Sequence, residues 1–346
     1  MPDADEVNQA MEEMMNSAAR PVSSPAARAN WPRTVGLVAV TAIVAVLALA
    51  GPPAAIGGPG HGHGQSPKQS HRTVMYYQTQ YSDNHYVSPK AMVDHHTGLT
   101  DLIVGAFHVN ETPGDIRLND DSPSSPKFDV MWKDLTTMQR KGVKVLGFVG
   151  GAAAGSFHRL EPETFDTYYP ELKAVISRYK LDGLDLDVEE SMSLAGVEHL
   201  IDRLKADFGK KFLITLAPVA PALKGGGNLS GFDYEQLYKE RGQSIAWFNT
   251  QFYCGWGTLA STTGYKAIID RGVIPASKVV AGTLTNPANC GSGYVPMSEL
   301  TSTIASLSDT YETFGGIAGW EYFNSIPGGP GAPWRWVRDV SAAMRD

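Results

Sequence analysis

Apolar and polar residues fall into two rhythms along positions 73 to 346. Short apolar runs, several alternating with period two, are separated by longer stretches in which apolar residues recur every three or four positions. The first rhythm sends successive side chains to opposite faces of a β-strand, and the second lines one stripe of an α-helix. The predicted strands are TVMYYQT (73–79), DLIVGAFHV (101–109), VKVLGFVGG (143–151), GLDLDVE (183–189), KFLITLAPVA (211–220), AWFNTQFY (246–253), KVVAGTLT (278–285) and GGIAGWEYFN (315–324). Helical spacing fills the gaps. In 126–142, Phe128, Met131, Trp132, Leu135 and Met138 share a face and Gly142 supplies a C-cap, while 165–180 and 197–209 read the same way. Eight strands alternating with helices over this length predict an α/β fold, a (β/α)8 TIM barrel in a single domain spanning 73–346. No repeat and no second domain interrupts the pattern.

A different pattern precedes the barrel. Thr34 to Ala50 runs 17 residues without a charge, just long enough to span a bilayer. Arg20, Arg28 and Arg33 come before it and no Lys or Arg follows until Lys68, so the positive-inside rule puts the start of the chain in the cytosol and the barrel outside. The expected organisation is a cytosolic tail at 1–33, a transmembrane signal anchor or signal peptide at 34–51, and a Gly/Pro/His-rich linker at 52–72. Ala48-Leu49-Ala50 is a small-x-small site that suits cleavage. On either reading the barrel is extracellular or in the secretory lumen, membrane-anchored as a type II protein or secreted. His61 and His63 read as part of a flexible tether rather than as metal ligands. The net charge of -7 and the absence of a basic cluster argue against a nucleic-acid partner. Cys254 and Cys290 are too few for a disulfide scaffold and match no zinc spacing, which leaves one bridge or two small buried thiols.

The run LDGLDLDVEE at 181–190 carries the chemistry. In a barrel strand Leu184, Leu186 and Val188 face the helices, and Asp185, Asp187 and Glu189 face a packed interior. Three like charges there are costly unless protonated, hydrogen-bonded or used, which sets aside a solvated acidic face. Alternating acids also bind Mg²⁺ or Ca²⁺, but such sites recruit oxygen ligands from loops, and no second acidic cluster at a strand end completes the sphere. The remaining reading is a proton-sharing column, in which like charges force the pKa values apart and Glu189, the outermost, stays protonated as a general acid. Functional residues of such barrels gather at the C-terminal ends of the strands. There this chain places Tyr76 and Gln78, Phe107 and His108, Gly150 and Gly151, Asn249, Gln251 and Tyr253, and Trp320 with Glu321. Aromatic faces among amides and acids suit a sugar.

Asp182, Gly183, Asp185, Asp187 and Glu189 spell D-G-x-D-x-D-x-E, and on this motif the chain resembles glycoside hydrolase family 18 over the whole of 73–340. The resemblance implies retaining hydrolysis without a protein nucleophile. Glu189 would protonate the glycosidic oxygen while the substrate's own N-acetyl oxygen attacks C1 to give an oxazolinium ion. Asp187 would orient the acetamido N–H, Asp185 would share a proton beneath it, and Glu189 would then act as base toward water. Gln251 and Tyr253 match the family's amide and tyrosine on strand six, the tyrosine reaching the acetamido oxygen, and Trp320 matches the indole that floors the −1 subsite. No metal or other cofactor is implied. The expected partner is an N-glycan or chitooligosaccharide substrate, and the chain is expected to be monomeric.

Two departures stand out. Val188 precedes the glutamate where common chitinases of the family carry an aromatic. Phe148-Val149-Gly150-Gly151 lacks the serine of the family's S-x-G-G, which puts in question one hydrogen bond behind Asp185. Only 29 residues, 286–314, separate the last two predicted strands. That leaves no α+β insertion, and a shallow, open cleft is expected. FHVN, FVGGAA, DLDVEE, ITLAPVA, NTQFYCGWG and GWEYFNS look most like secreted endo-β-N-acetylglucosaminidases of the family, which cut the GlcNAcβ1-4GlcNAc core of N-glycans. A chitinase is the alternative, and a catalytically silent lectin a third, which the intact Glu189, Asp187 and Tyr253 oppose. Asn110-Glu111-Thr112 and Asn228-Leu229-Ser230 are candidate N-glycosylation sites. Cys254 and Cys290 follow neighbouring strands of the expected barrel, where a bridge is within reach.

Overall fold

The computed structural model describes residues 71–345. The tail at 1–33, the apolar segment at 34–51 and the linker up to residue 70 lie outside the described residues. Among the described residues no helix is long and apolar enough to cross a membrane.

Eight parallel strands form the wall: β1 Arg72–Tyr77, β2 Asp101–Val109, β3 Lys144–Gly150, β4 Gly183–Asp187, β5 Leu213–Leu216, β6 Trp247–Gln251, β7 Val279–Leu284 and β8 Gly316–Trp320. Each pairs with its sequence neighbours, and β1 pairs with both β2 and β8, which closes the barrel. The helices are α1 Ala91–Asp94, α2 Asp129–Arg140, α3 Phe165–Tyr179, α4 Leu194–Phe208, α5 Tyr234–Arg241, α6 Thr263–Ile269, α7 Met297–Thr310 and α8 Trp334–Ala343. In α2 the buried residues Met131, Leu135 and Met138 repeat at helical spacing, so the apolar stripe read from the sequence is the face turned to the sheet. Helix α4 begins three residues before the expected 197, because the Ser193 hydroxyl accepts from the Gly196 N–H at 2.9 Å and nucleates an extra turn.

Period two sorts the strand residues into two cores. Leu184, Leu186 and Val188 lie in the layer between sheet and helices, while Val74, Tyr76, Ile103, Leu146, Phe148 and Val280 plug the interior. Burying each large aliphatic chain contributes about 1.5–3 kcal/mol relative to exposure, so a one-residue slip of β4, which would swap its leucines for its acids, is strongly disfavoured. Strand β2 breaks the alternation. Its register against β3 shifts between Val104 and Phe107; Ile103 and Ala106 both belong to the interior, and Phe107 packs outward under the helices. The local backbone is held by Gln80, whose side-chain amide donates to the Gly105 carbonyl at 2.8 Å, and by Asn119, whose Oδ1 accepts from the Ala106 N–H at 3.0 Å. This is a β-bulge supported from outside the strand.

Strands β4, β6 and β8 end earlier than the apolar patterns suggested, at Asp187, Gln251 and Trp320. Glu189, Tyr253 and Glu321 therefore stand just past the wall, at the mouth. Between β7 and β8 the described chain holds one short 3₁₀ turn, Pro287–Asn289, and α7, and no inserted sheet.

Candidate active site

Strand β4 delivers a column of carboxyl groups. Asp185, deepest, is fully buried and receives three hydrogen bonds: Tyr76 Oη donates to Oδ2 at 2.6 Å, Asn249 Nδ2 donates to Oδ1 at 2.9 Å, and the Thr215 hydroxyl also donates to Oδ1. Asn249 is itself oriented by Trp247, whose indole N–H donates to its Oδ1 at 2.8 Å. The deficit at Asp185 expected from the missing serine is absent, because three other strands supply donors. Phe148, at the serine's position, instead packs its ring 5.7 Å from that of Tyr76 and 6.1 Å from that of Trp320, centroid to centroid.

Above it, Asp187 has a single side-chain donor, Gln251 Nε2 at 3.3 Å. The same amide donates to Glu189 Oε1 at 3.0 Å and to the Ala217 carbonyl at 2.9 Å, so Gln251 ties together the upper two acids. Burial raises the pKa of all three carboxyls. At Asp185 the hydrogen bonds from Thr215, Tyr76 and Asn249 oppose that rise; at Asp187 the neighbouring Glu189 and Asp185 charges add to it and push it well above the ordinary range; at Glu189 only the Gln251 bond pulls back. The column therefore favours negative charge on Asp185, where donors solvate it, over Asp187 and Glu189. A carboxylic acid kept protonated at the half-buried mouth of a barrel can deliver that proton to a bound leaving group.

The walls around the column are aromatic. Tyr253 is buried, and burial followed by the charges of Asp187, Glu189 and Asp185 holds its phenol well above its usual pKa, so it serves as a neutral donor. Trp320 is half-buried with its ring 5.5 Å from that of Tyr76. Gly150, at φ +93°, lies against the column: a Cβ there would sit 2.4 Å from Phe157 Cε2 and 2.5 Å from the Asp187 carbonyl oxygen. The Gly151 N–H donates to that same carbonyl at 2.9 Å.

Other expected site residues are engaged elsewhere. Glu321 is buried and spends its carboxylate on β1's end, accepting from the Gln78 N–H at 3.1 Å, the Thr79 N–H at 2.8 Å and the Thr79 hydroxyl at 2.8 Å. The Gln78 side chain meets Asn119 Oδ1 at 3.4 Å. His108 is half-buried opposite Arg117, its pKa lowered by burial. Phe107 points away from the site. Asn110 donates to Asp115 at 3.3 Å, and Asn228 donates to the Phe232 carbonyl at 3.1 Å while its Oδ1 accepts two backbone N–H groups. Cys254 and Cys290 form a disulfide with Cα atoms 5.7 Å apart. Among the described residues no cluster of His, Cys, Asp and Glu is arranged to hold a metal ion.

Three supporting residues escaped the sequence reading. Thr215 sits at an inward position between Ile214 and Leu216, so alternation alone marks it. Glu190, next to the terminal acid, accepts from the Gly155 and Phe157 N–H groups, each at 2.7 Å, and anchors the loop after β3. Ser230 donates to the Val188 carbonyl at 2.6 Å and pairs with Tyr234 at 2.7 Å, bracing the chain beside Glu189. The last two lie in loops without periodicity.

Comparison with known proteins bears on this geometry. Residues 72–289 match the profile described as glycosyl hydrolases family 18. The fold superposes on a fungal endo-β-N-acetylglucosaminidase of that family with a TM-score of 0.75 and 45% identity, over 79% of this chain and 98% of the other. It superposes on a chitinase from Aspergillus fumigatus with a TM-score of 0.73 and 49% identity, over 79% of this chain and 99% of the other. A chitinase of Rhizopus oligosporus is 31% identical over 208 residues, covering 54% of this chain and 35% of that protein. The chain spans 35% to 60% of the length of the curated relatives from Rhizopus and Enterococcus faecalis that it matches. With its D-G-x-D-x-D-x-E acids stacked along the fourth strand of a closed eight-stranded barrel, and a profile match over more than half of its length, this chain belongs to glycosyl hydrolases family 18.

Proposed function

We propose that this chain is an endo-β-N-acetylglucosaminidase that hydrolyses the GlcNAcβ1-4GlcNAc core of N-glycans by retaining, substrate-assisted catalysis. The observation that carries the reading is the placement of carboxyl groups at the mouth. Glu189 stands at the mouth, Asp187 is pushed well above the usual carboxylate range by burial and by the Glu189 and Asp185 charges, Asp185 is buried beneath it, Glu190 is bonded to Gly155 and Phe157, and Glu321 is bonded to Gln78 and Thr79. Apart from the proton donor itself, each carboxyl is buried, raised in pKa or tied to other groups, which favours a nucleophile supplied by the substrate.

Glu189 gives its proton to the glycosidic oxygen as the C1–O bond breaks. The acetamido oxygen of the −1 sugar closes on C1, forming an oxazolinium ion whose positive charge is balanced by the column below. Asp187 receives the acetamido N–H, Tyr253 donates to the acetamido oxygen, and Trp320 floors the sugar. Water then adds to C1, giving a proton back to Glu189 and restoring the acetamide with retention. No cofactor takes part in these steps. The short connection between β7 and β8 and the near full-length match to a fungal endo-β-N-acetylglucosaminidase support the N-glycan core as substrate. A second reading, hydrolysis of chitin chains by the same chemistry, is favoured by the 49% identity to the Aspergillus chitinase. We place the barrel outside the cytosol, secreted or anchored through 34–51, a location in which a bridge such as Cys254–Cys290 persists.

The test incubates the full chain and Glu189→Gln with a high-mannose glycoprotein and, separately, with chitooligosaccharide, and resolves the products by mass. Release of the glycan with one GlcNAc left on the protein, slowed about 10²–10⁴-fold in the variant, is the expected result. Cleavage of chitooligosaccharide alone would replace this reading with the second; binding of either without cleavage would replace both with a lectin.

A further inference from the structure

The loop after β7 touches both aromatic walls of the site, and it does so through two consecutive residues. Asn289 donates through Nδ2 to the Trp320 carbonyl at 3.0 Å and to Thr285 Oγ1 at 3.2 Å, while its own Oδ1 accepts from Asn324 Nδ2 at 2.6 Å. Cys290, the next residue, is bridged to Cys254, which directly follows Tyr253. The loop returns against the same point: the Cys254 N–H donates to the Ser292 carbonyl at 2.9 Å, and Gly293, at φ +94°, packs so closely on Tyr253 that a Cβ there would lie 2.5 Å from its Cα. Cys254 itself sits at φ +55°, a conformation that a non-glycine residue keeps only when its surroundings impose it. Thr285, at the loop's start, donates its N–H to the Trp320 carbonyl at 2.8 Å and its hydroxyl to the Glu321 carbonyl at 2.6 Å.

We infer that Asn289 and the Cys254–Cys290 bridge act together as positioning residues, a strap from β7 that fixes Tyr253 on one side of the sugar site relative to Trp320 on the other. This rests on the reading that Tyr253 and Trp320 contact the −1 sugar. The acid column is anchored separately, by Tyr76, Thr215, Asn249 and Gln251, so the strap governs how the sugar is held and leaves the protonation of Glu189 unchanged. Loosening it separates the phenol that meets the acetamido oxygen from the indole beneath the ring, and a misplacement of about 1 Å at such a site costs on the order of 10²-fold in rate.

The experiment compares wild type, the double variant Cys254→Ser with Cys290→Ser, Asn289→Ala, and each of these in a Tyr253→Phe background, on whichever of the two substrates wild type cleaves. Loss of the bridge is expected to lower kcat/KM on the order of 10- to 10²-fold, with the pH limits of activity unmoved. In the Tyr253→Phe background the same loss should shrink to under about twofold, because the contact it protects is already gone. An equal factor in both backgrounds, or a shift of the pH limits, overturns the inference. Hydrogen exchange decides the matter independently of activity: opening the bridge should raise exchange at 253–257, after β6, and also at 320–325, after β8. An increase confined to 253–257 also refutes the strap, whereas correlated loosening in a protein that cleaves neither substrate would sink the enzymatic reading and leave the strap standing.

Discussion

Replacing Tyr76 by Phe removes one oxygen from the interior and leaves the ring, which packs against Phe148 and Trp320, in place. That oxygen is the donor to Asp185 Oδ2; the other two donors, Thr215 and Asn249, both reach Oδ1. Burial holds the Tyr76 phenol far above its usual pKa, so in the wild type it is a donor at every working pH. A hydrogen bond to a charged group contributes about 1.5–3 kcal/mol when buried, and one pKa unit corresponds to about 1.36 kcal/mol. Losing the bond should therefore raise the proton affinity of Asp185 by about one to two units. On the reading that Asp185 carries the column's charge, its protonation sets the acid limit of activity and the proton on Glu189 sets the basic limit. The assay is the pH dependence of kcat/KM on whichever of the two substrates wild type cleaves, which reports the free enzyme's titrations. The acid limb should move up by about one to two units, with the basic limb fixed. An unmoved acid limb in a protein whose melting temperature is otherwise normal would refute the assignment of the charge to Asp185. Equal movement of both limbs would show that the column titrates as a whole.

Two further outcomes follow from the same geometry. Burial and the charges of Glu189 and Asp185 raise the folded-state pKa of Asp187 above its unfolded value, so its protonated form contributes stability that is present below the unfolded pKa and lost as pH rises through the folded one. Asp187→Asn stays neutral and should melt higher than wild type near about pH 8, with the gap closing toward about pH 5; Asp101, pushed up to about 6 by burial, titrates in both proteins and cancels. Equal melting curves at both pH values would contradict a protonated Asp187. Gly150→Ala forces a Cβ into Phe157 and the Asp187 carbonyl at positive φ. It should cost about 1–3 kcal/mol in a denaturant titration and most of the activity, and an alanine variant that keeps both would show that the loop after β3 can yield.

Alternation made the acid column legible, because Asp185, Asp187 and Glu189 sit between residues that can only face the helices. The same rule failed in β2, where the bulge at Gly105–Ala106 adds one residue and turns Phe107 outward. Its supports, Gln80 and Asn119, lie in loops, and a hydrogen bond from a loop leaves no period to read. Glu321 looked like a sugar ligand because acids at strand ends are often used. Backbone N–H groups at Gln78 and Thr79 claim it instead, and a main-chain donor has no sequence signature. The cysteines were ambiguous for the opposite reason, since chemistry allowed two states and only the proximity of the β6 and β7 ends selects one.

The short passage from Leu284 to Gly316, one helix and no added sheet, has a kinetic corollary. Among the described residues no inserted sheet walls the mouth between β7 and β8, so no such sheet is there to retain a polymer after each cut. Successive cuts then come from independent encounters. On the second reading, with a long GlcNAc oligomer as substrate, all product lengths should fill together from the earliest time points; a ladder dominated from the outset by one repeating product would mean that some other surface retains the chain.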